Sequence, residues 1–164
     1  MTRYGTVLSF QGNLEEIVDH YASILPDLRR TVVLPHSEVT GGEPGTALLV
    51  GFTLGSQTFT VMQGLPDELS PAVSIEVRTD SQEESDRIYE ALLEGGSEMA
   101  CGWLTDRYGL SWQVSPQELL DLVSDPDPAR SRAANRAMQQ QRKIDIEPVR
   151  AAVAAVSGPS TPSP

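Results

Sequence analysis

The chain has 164 residues, enough for one domain and short for two independent ones. Hydrophobic residues make up 39%, which permits a real core, while 23 acidic residues against 12 Lys and Arg leave a net charge of −11. A field of that sign disfavours nucleic acid and anionic membrane surfaces, and no apolar run approaches the ~18 residues of a spanning helix.

Tyr4 to Phe10 alternates, with Tyr4, Thr6, Leu8 and Phe10 on one face, and reads as a strand. Gln11-Gly12-Asn13 breaks it. Asn13 suits an N-cap, and Glu15 and Glu16 suit the positive end of a helix dipole. Leu14, Ile17, Val18, Tyr21, Ile24 and Leu25 recur at helical spacing until Pro26. Thr31 to Leu34 is a short β-branched strand, and the glycines and prolines of 35–46 make a long loop. Ala47 to Leu54 and Thr58 to Met62 are strands joined at Gly55-Ser56, a hairpin signal. A second round follows. Val73 to Val77 is a strand, and Asp80 or Ser81 caps a helix running to about Leu93. Gly95-Gly96 ends it. The stretch 98–104 holds one strand or two short ones, Asp106-Arg107-Tyr108-Gly109 is a turn, and Leu110 to Val114 is a strand. The two rounds read as one unit used twice, with a spacing too long for a solenoid repeat. Beyond Pro116 the pattern turns helical: Gln117 to Val123, then Ala129 to Arg142 with Met138 as its one large apolar residue, then Glu147 to Val156. Residues 157–164 hold only Ser, Gly, Pro and Thr and read as a disordered tail.

Metal and nucleotide signatures are missing. The two histidines, His20 and His36, have no metal-ligand partner at short spacing, and neither G-x-G-x-x-G nor a Walker loop is present. Cys101 cannot form an intrachain disulfide, which fits a reducing compartment. It is expected to be a buried, inert thiol. The first residues, Met1 to Gly5, carry no long apolar stretch, so the expected location is the cytoplasm. The most distinctive segment is Cys101 to Val114, which contains Trp103, Trp112 and Tyr108. It reads either as large core residues around a tight turn or as a ligand wall in which Gln113 seeks a hydrogen-bond partner. Asp106 is expected to bond its own backbone in the turn.

Several segments together resemble one family. Phe10-Gln11-Gly12-Asn13-Leu14-Glu15-Glu16 through Tyr21 is similar to its opening strand and helix, and Phe52 to Phe59 to its central hairpin. Thr79 to Arg87 is similar to its second helix start, and Cys101 to Pro116 to its most distinctive stretch. Asp125-Pro126-Asp127 and Arg142-Lys143-Ile144-Asp145-Ile146 resemble the C-terminal extension of some members. The chain resembles, over about residues 4–155, the PhnB-like family that bears the label 3-demethylubiquinone-9 3-methyltransferase domain. That family belongs to the vicinal oxygen chelate superfamily, with glyoxalase I and the bleomycin-resistance proteins.

The resemblance implies an α+β fold: two βαβββ modules, about 4–65 and 72–116, whose curled mixed sheets surround a cleft. A helical extension follows at 117–156. Metal enzymes of the superfamily place His, Glu or Gln ligands on the outer strands of each module, because a divalent ion needs nitrogen and oxygen donors. Matching by position puts Thr6 first, Val61 or Met62 second (Gln63 if the register slips), Ser74 third and Gln113 fourth. Three of these four are poor ligands, so no metal and no cofactor is expected. The expected function is binding of a small, partly apolar or aromatic molecule, with Thr6, Leu8, Phe59, Val61, Gln63, Ser74, Trp103, Trp112 and Gln113 lining the cleft. The alternative is a metal-dependent enzyme of the glyoxalase or dioxygenase type, or a metal-free one that takes Glu76 or Asp106 as base. A methyltransferase is not expected, for want of a cofactor motif. A homodimer is expected, with the helix at 129–142 docking on a partner subunit or on its own domain.

Overall fold

The computed structural model describes residues 2–64 and 69–156. They fall into two units, Met1–Glu68 and Leu69–Pro164. The expected tail at 157–164 lies outside the described residues.

In the first unit the elements run β1 (Thr6–Phe10), α1 (Leu14–Ile24), β2 (Leu28–Pro35), β3 (Ala47–Leu54) and β4 (Gln57–Gln63). The sheet order is β1-β4-β3-β2, with β1 parallel to β4 and the other pairs antiparallel. Asn13 caps α1 as expected: its Oδ1 accepts from the backbone N–H groups of Glu15 (3.1 Å) and Glu16 (3.4 Å). The helix buries Leu14, Ile17, Val18, Tyr21 and Ile24. Phe10 meets the Tyr21 ring, and Phe52 stacks on Phe59 with centroids 5.2 Å apart. One face of the sheet therefore carries Leu8, Phe10, Phe52, Phe59 and Val61 under α1, all buried. The strand expected at 31–34 extends to eight residues, because the ladder to β3 continues through Arg29 and Arg30 past a register shift at Thr31.

In the second unit the same order recurs: β5 (Ser74–Thr79), α2 (Gln82–Leu93), β6 (Ser97–Glu98), β7 (Trp103–Thr105) and β8 (Ser111–Pro116), in sheet order β5-β8-β7-β6 with β5 parallel to β8. Of the two candidate caps, Ser81 is the one used, its Oγ accepting from Glu84 N–H at 3.2 Å. The stretch 98–104 resolves into two short strands. Between them Cys101 and Gly102 both take positive φ, 59° and 81°, and strand geometry cannot pass through that conformation. Ile75, Trp112, Val114 and Leu104 are buried on the face that α2 covers with Ile88, Tyr89 and Leu92.

Three helices complete this unit: α3 (Gln117–Val123), α4 (Pro128–Met138) and α5 (Ile146–Val156). They have their own core of Leu119, Ala134, Ile144, Ile146, Val149 and Val153, with Met138 packed against it. Each large aliphatic side chain buried there contributes about 1.5–3 kcal/mol. Helix α4 thus packs on its own unit. It stops at Met138 rather than Arg142 because the chain must then turn to reach the β6–β7 hairpin. The Cys101 and Gly102 N–H groups donate to the carbonyls of Gln141 (2.9 Å) and Arg142 (2.6 Å). Gln82 at the start of α2 binds both sides of the next residues, donating to Ile144 O at 2.8 Å and accepting from Ile146 N–H at 2.9 Å. Lys143 reaches Asp86 and Glu90 on α2 at 3.0 and 2.9 Å.

Candidate functional site

On the second sheet, the face away from α2 carries the polar side chains. Strand alternation and register place Ser74, Glu76 and Arg78 of β5 beside Ser111, Gln113 and Ser115 of β8, and Trp103 opposite Gln113. The Gln113 Nε2 donates to Ser74 Oγ at 2.8 Å. That bond orients the amide, and its Oε1 has no partner among the described residues. Glu76 accepts from Arg78 at 2.6 Å. The bond raises the guanidinium above its ordinary value, burial opposes it, and Asp121 of α3 adds to it from across the face. Ser111 is only 1% exposed, and its hydroxyl has no partner among the described residues. A buried hydroxyl left unpaired costs about 1–3 kcal/mol.

A cavity of about 200 Å³ opens where this face meets α3 and α4. Glu76, Gln113, Ser115, Trp103 and Cys101 line the sheet side, and Leu119, Leu120, Val123 and Met138 the helix side. Cys101 was expected to be buried; it is half-buried and borders this cavity. The reason is its backbone: a positive φ lifts residue 101 out of the ladder so that its N–H can meet the Gln141 carbonyl.

The sequence-derived site residues divide sharply. Ser74, Trp103 and Gln113 come together on this face. Trp112 does not: it is 1% exposed beneath α2, and its Nε1 donates to Asp106 Oδ2 at 2.7 Å. Asp106 also accepts from the Tyr108 and Leu110 N–H groups at 2.8 and 3.0 Å, the turn role expected of it. In the first unit Phe59 and Val61 are core side chains under α1, and Leu8 lies with them. Thr6 shares their face at the exposed strand end. Gln63 opens instead onto a separate cavity of about 570 Å³, between the start of α1 and the loop that carries His36 and Glu43. The opposite face of that sheet carries Val7, Ser9, Thr60 and Met62, the last a candidate for the second ligand position. Leu120, Val123 and Met138 were missed as lining residues, because no periodicity shows that a helix beyond the repeat folds back over the sheet.

Among the described residues, no group of three or more His, Cys, Asp or Glu side chains is placed to hold a metal ion, and no helix is long and apolar enough to cross a membrane.

Residues 2–115 match the sequence profile of the family described as 3-demethylubiquinone-9 3-methyltransferase. A structure from Bacillus cereus, described as a putative 3-demethylubiquinone-9 3-methyltransferase, PhnB protein, is 28% identical. It covers 68% of this chain and 97% of its own, with a TM-score of 0.62. A Pseudomonas aeruginosa protein is 25% identical over 68% of this chain and 95% of its own, with a TM-score of 0.55. A fosfomycin resistance protein, FosX, from Listeria monocytogenes, complexed with Mn(II) and a dihydroxypropylphosphonic acid, shares the fold at 11% identity. It covers 71% of this chain and 93% of its own, with a TM-score of 0.50. No curated protein matches the chain. The profile match spans most of the sequence and coincides with the duplicated βαβββ units, so the chain belongs to the family described as 3-demethylubiquinone-9 3-methyltransferase, whose structural relatives include the PhnB protein.

Proposed function

We propose that this protein binds a small, partly apolar or aromatic molecule on the polar face of its second sheet, without a metal ion. One observation carries the reading. The Gln113 amide is held by Ser74, beside Trp103, at the mouth of a cavity with one polar and one apolar wall. Ligand sites have this make-up: mostly apolar surface with a few oriented polar groups.

The donor set supports the metal-free reading. The face offers one neutral amide already turned toward a serine, two further hydroxyls, and one carboxylate committed to Arg78. A Mn(II)-type ion asks for several oxygen or nitrogen donors and charge to offset its own. The same set argues against an anionic ligand such as a phosphonate, because the one cation on the face is neutralised by Glu76. The family's methyltransferase label is not adopted. The sequence has no nucleotide-binding glycine motif, and the sheets are mixed βαβββ units, unlike the parallel doubly wound sheet that holds dinucleotides. The reading also takes the chain to be cytoplasmic and homodimeric, as the resemblance implies, and sedimentation equilibrium reads the second point directly.

The test is metal analysis of full-length protein purified without chelator, paired with thermal scans against Ni(II), Zn(II), Mn(II) and Fe(II). Far less than one ion per chain, and an unchanged midpoint, are expected. A stoichiometric ion with a clear upward shift would overturn the metal-free reading, since an ion specific to the native state must stabilise it.

A further inference from the structure

We infer that the helical extension 117–156 is the specificity wall of this cavity, and that it restricts the guest to a single-ring aromatic bearing a hydrogen-bond donor, such as a phenol or an aniline. The inference rests on the binding reading above and deepens it.

The family profile ends at residue 115, and the extension begins at Gln117. Leu119, Leu120, Val123 and Met138 therefore come from outside the part that the family profile covers, yet with Val114 and Trp103 they supply the apolar surface of the cavity. The Bacillus cereus relative uses 97% of its length on 68% of this chain, so about a third of this chain has no counterpart there. The extension is also held in place rather than loosely appended. Its 141–146 segment is gripped by the Cys101 and Gly102 N–H groups, by the Gln82 amide and by the Lys143 ion pairs. Helix α5 is tied to α3 by Arg150, whose guanidinium takes both carboxylate oxygens of Glu118. A wall anchored at so many points excludes by size.

The class of guest follows from volume and polarity. A cavity of about 200 Å³ is slightly larger than the ~150 Å³ that accepts benzene, which leaves room for one ring and one small substituent. The polar side presents two groups that can only accept, the Gln113 Oε1 and the Glu76 carboxylate oxygen that Arg78 does not use, and the Ser115 hydroxyl, which accepts or donates. A guest that donates therefore meets more partners than one that only accepts, because the carboxylate and the amide oxygen cannot donate.

The experiment is an NMR titration of full-length protein, labelled at methionine methyls and tryptophan indoles, with phenol and with the larger 2-naphthol. The Met138 methyl and the Trp103 indole are expected to shift together and saturably with phenol. The Trp112 indole, bonded to Asp106 in the core, should stay put as an internal control. Met138→Ala and, separately, Val123→Ala should move the preference from phenol toward 2-naphthol at least tenfold. Gln113→Leu should weaken phenol at least tenfold. Each variant is first checked for an unchanged fold by its thermal midpoint, and the two wall variants are independent of each other. If phenol binds and Gln113→Leu weakens it, but neither wall variant changes the ratio, the inference about the extension falls and the binding reading stands. If neither probe moves Trp103 or Met138 saturably, both fall.

Discussion

At Gly102 a single hydrogen decides whether the extension can dock. Its φ is +81°, and a Cβ there would sit 2.8 Å from the Val114 carbonyl and 2.9 Å from Ile144 Cγ1. Gly102→Ala is expected to cost about 1–3 kcal/mol from the backbone conformation alone, with further loss as Ile144 is pushed from its seat. Urea unfolding would show the drop in midpoint, and hydrogen exchange would place the loosening in 139–156. Cys101, by contrast, tolerates the left-handed region because both N–H groups of the pair then point at carbonyls. Tyr89 makes a second prediction. Its phenol is buried on α2, and burial first, then the charge and weak hydrogen bond of Glu98, push it up from 10.0 to about 12. The unfolded chain ionises near 10 while the native state holds its proton. Stability is therefore intact below that point and falls as pH rises from about 10 to about 12. Absorbance titration should show one tyrosine that ionises late, and Tyr89→Phe should flatten the alkaline fall in thermal midpoint.

At the scale of elements, the helices are set by local chemistry and the extension by long-range contacts. Asn13 and Ser81 cap their helices through side-chain oxygens a few residues away in sequence, which is why both starts were legible. Arg150 joins Glu118 across 32 residues, and nothing in the sequence pairs them. That ion pair holds the Glu118 carboxyl below its ordinary value of 4.5, chiefly through the hydrogen bond from Arg150. A lowered native pKa means a contribution present above the unfolded value and lost as pH falls through the native one. The docking of α3 on α5 should thus weaken below about pH 4.5, and Glu118→Gln should remove part of that acid dependence while lowering stability slightly near neutrality. Thermal midpoints of both proteins between pH 3 and 7 check it. Asp125, held down by Arg130 and then by the Asp127 N–H, adds in the same direction, so acid loss is not expected to vanish in the variant.

For the molecule as a whole, charge is the dominant long-range term. At −11 the chain repels itself, while its ion pairs are surface contacts worth little individually. Raising salt to about 0.3 M shortens the screening length to well under 10 Å. The expected result is a higher thermal midpoint, because relief of net repulsion outweighs weakening of exposed pairs. A falling midpoint would show that the ion pairs around the extension matter more than the net charge.

The amino-acid order by itself determined the element types, the duplication and the family. Alternation, caps and glycine breaks act over a few residues, and they mark β1, α1, the β3–β4 hairpin, α2 and α3 almost to the residue. It also determined that Thr6 shares a face of its strand with Leu8, and Phe59 one with Val61 and Gln63, because side chains alternate strictly along a strand. Which face α1 would cover is a different question. The sequence is silent on it, and the structure puts Phe59 and Val61 in the core. The same decision separated Trp112 from Trp103: one residue packs under α2 and bonds Asp106, the other turns to the cavity beside Gln113. Only tertiary structure brought Met138 and Val123 to that cavity, since their place depends on carbonyls at 141 and 142 meeting N–H groups some 40 residues earlier in the chain. Patterns of period two and 3.6 report what a segment is; where it docks depends on partners that those periods do not name.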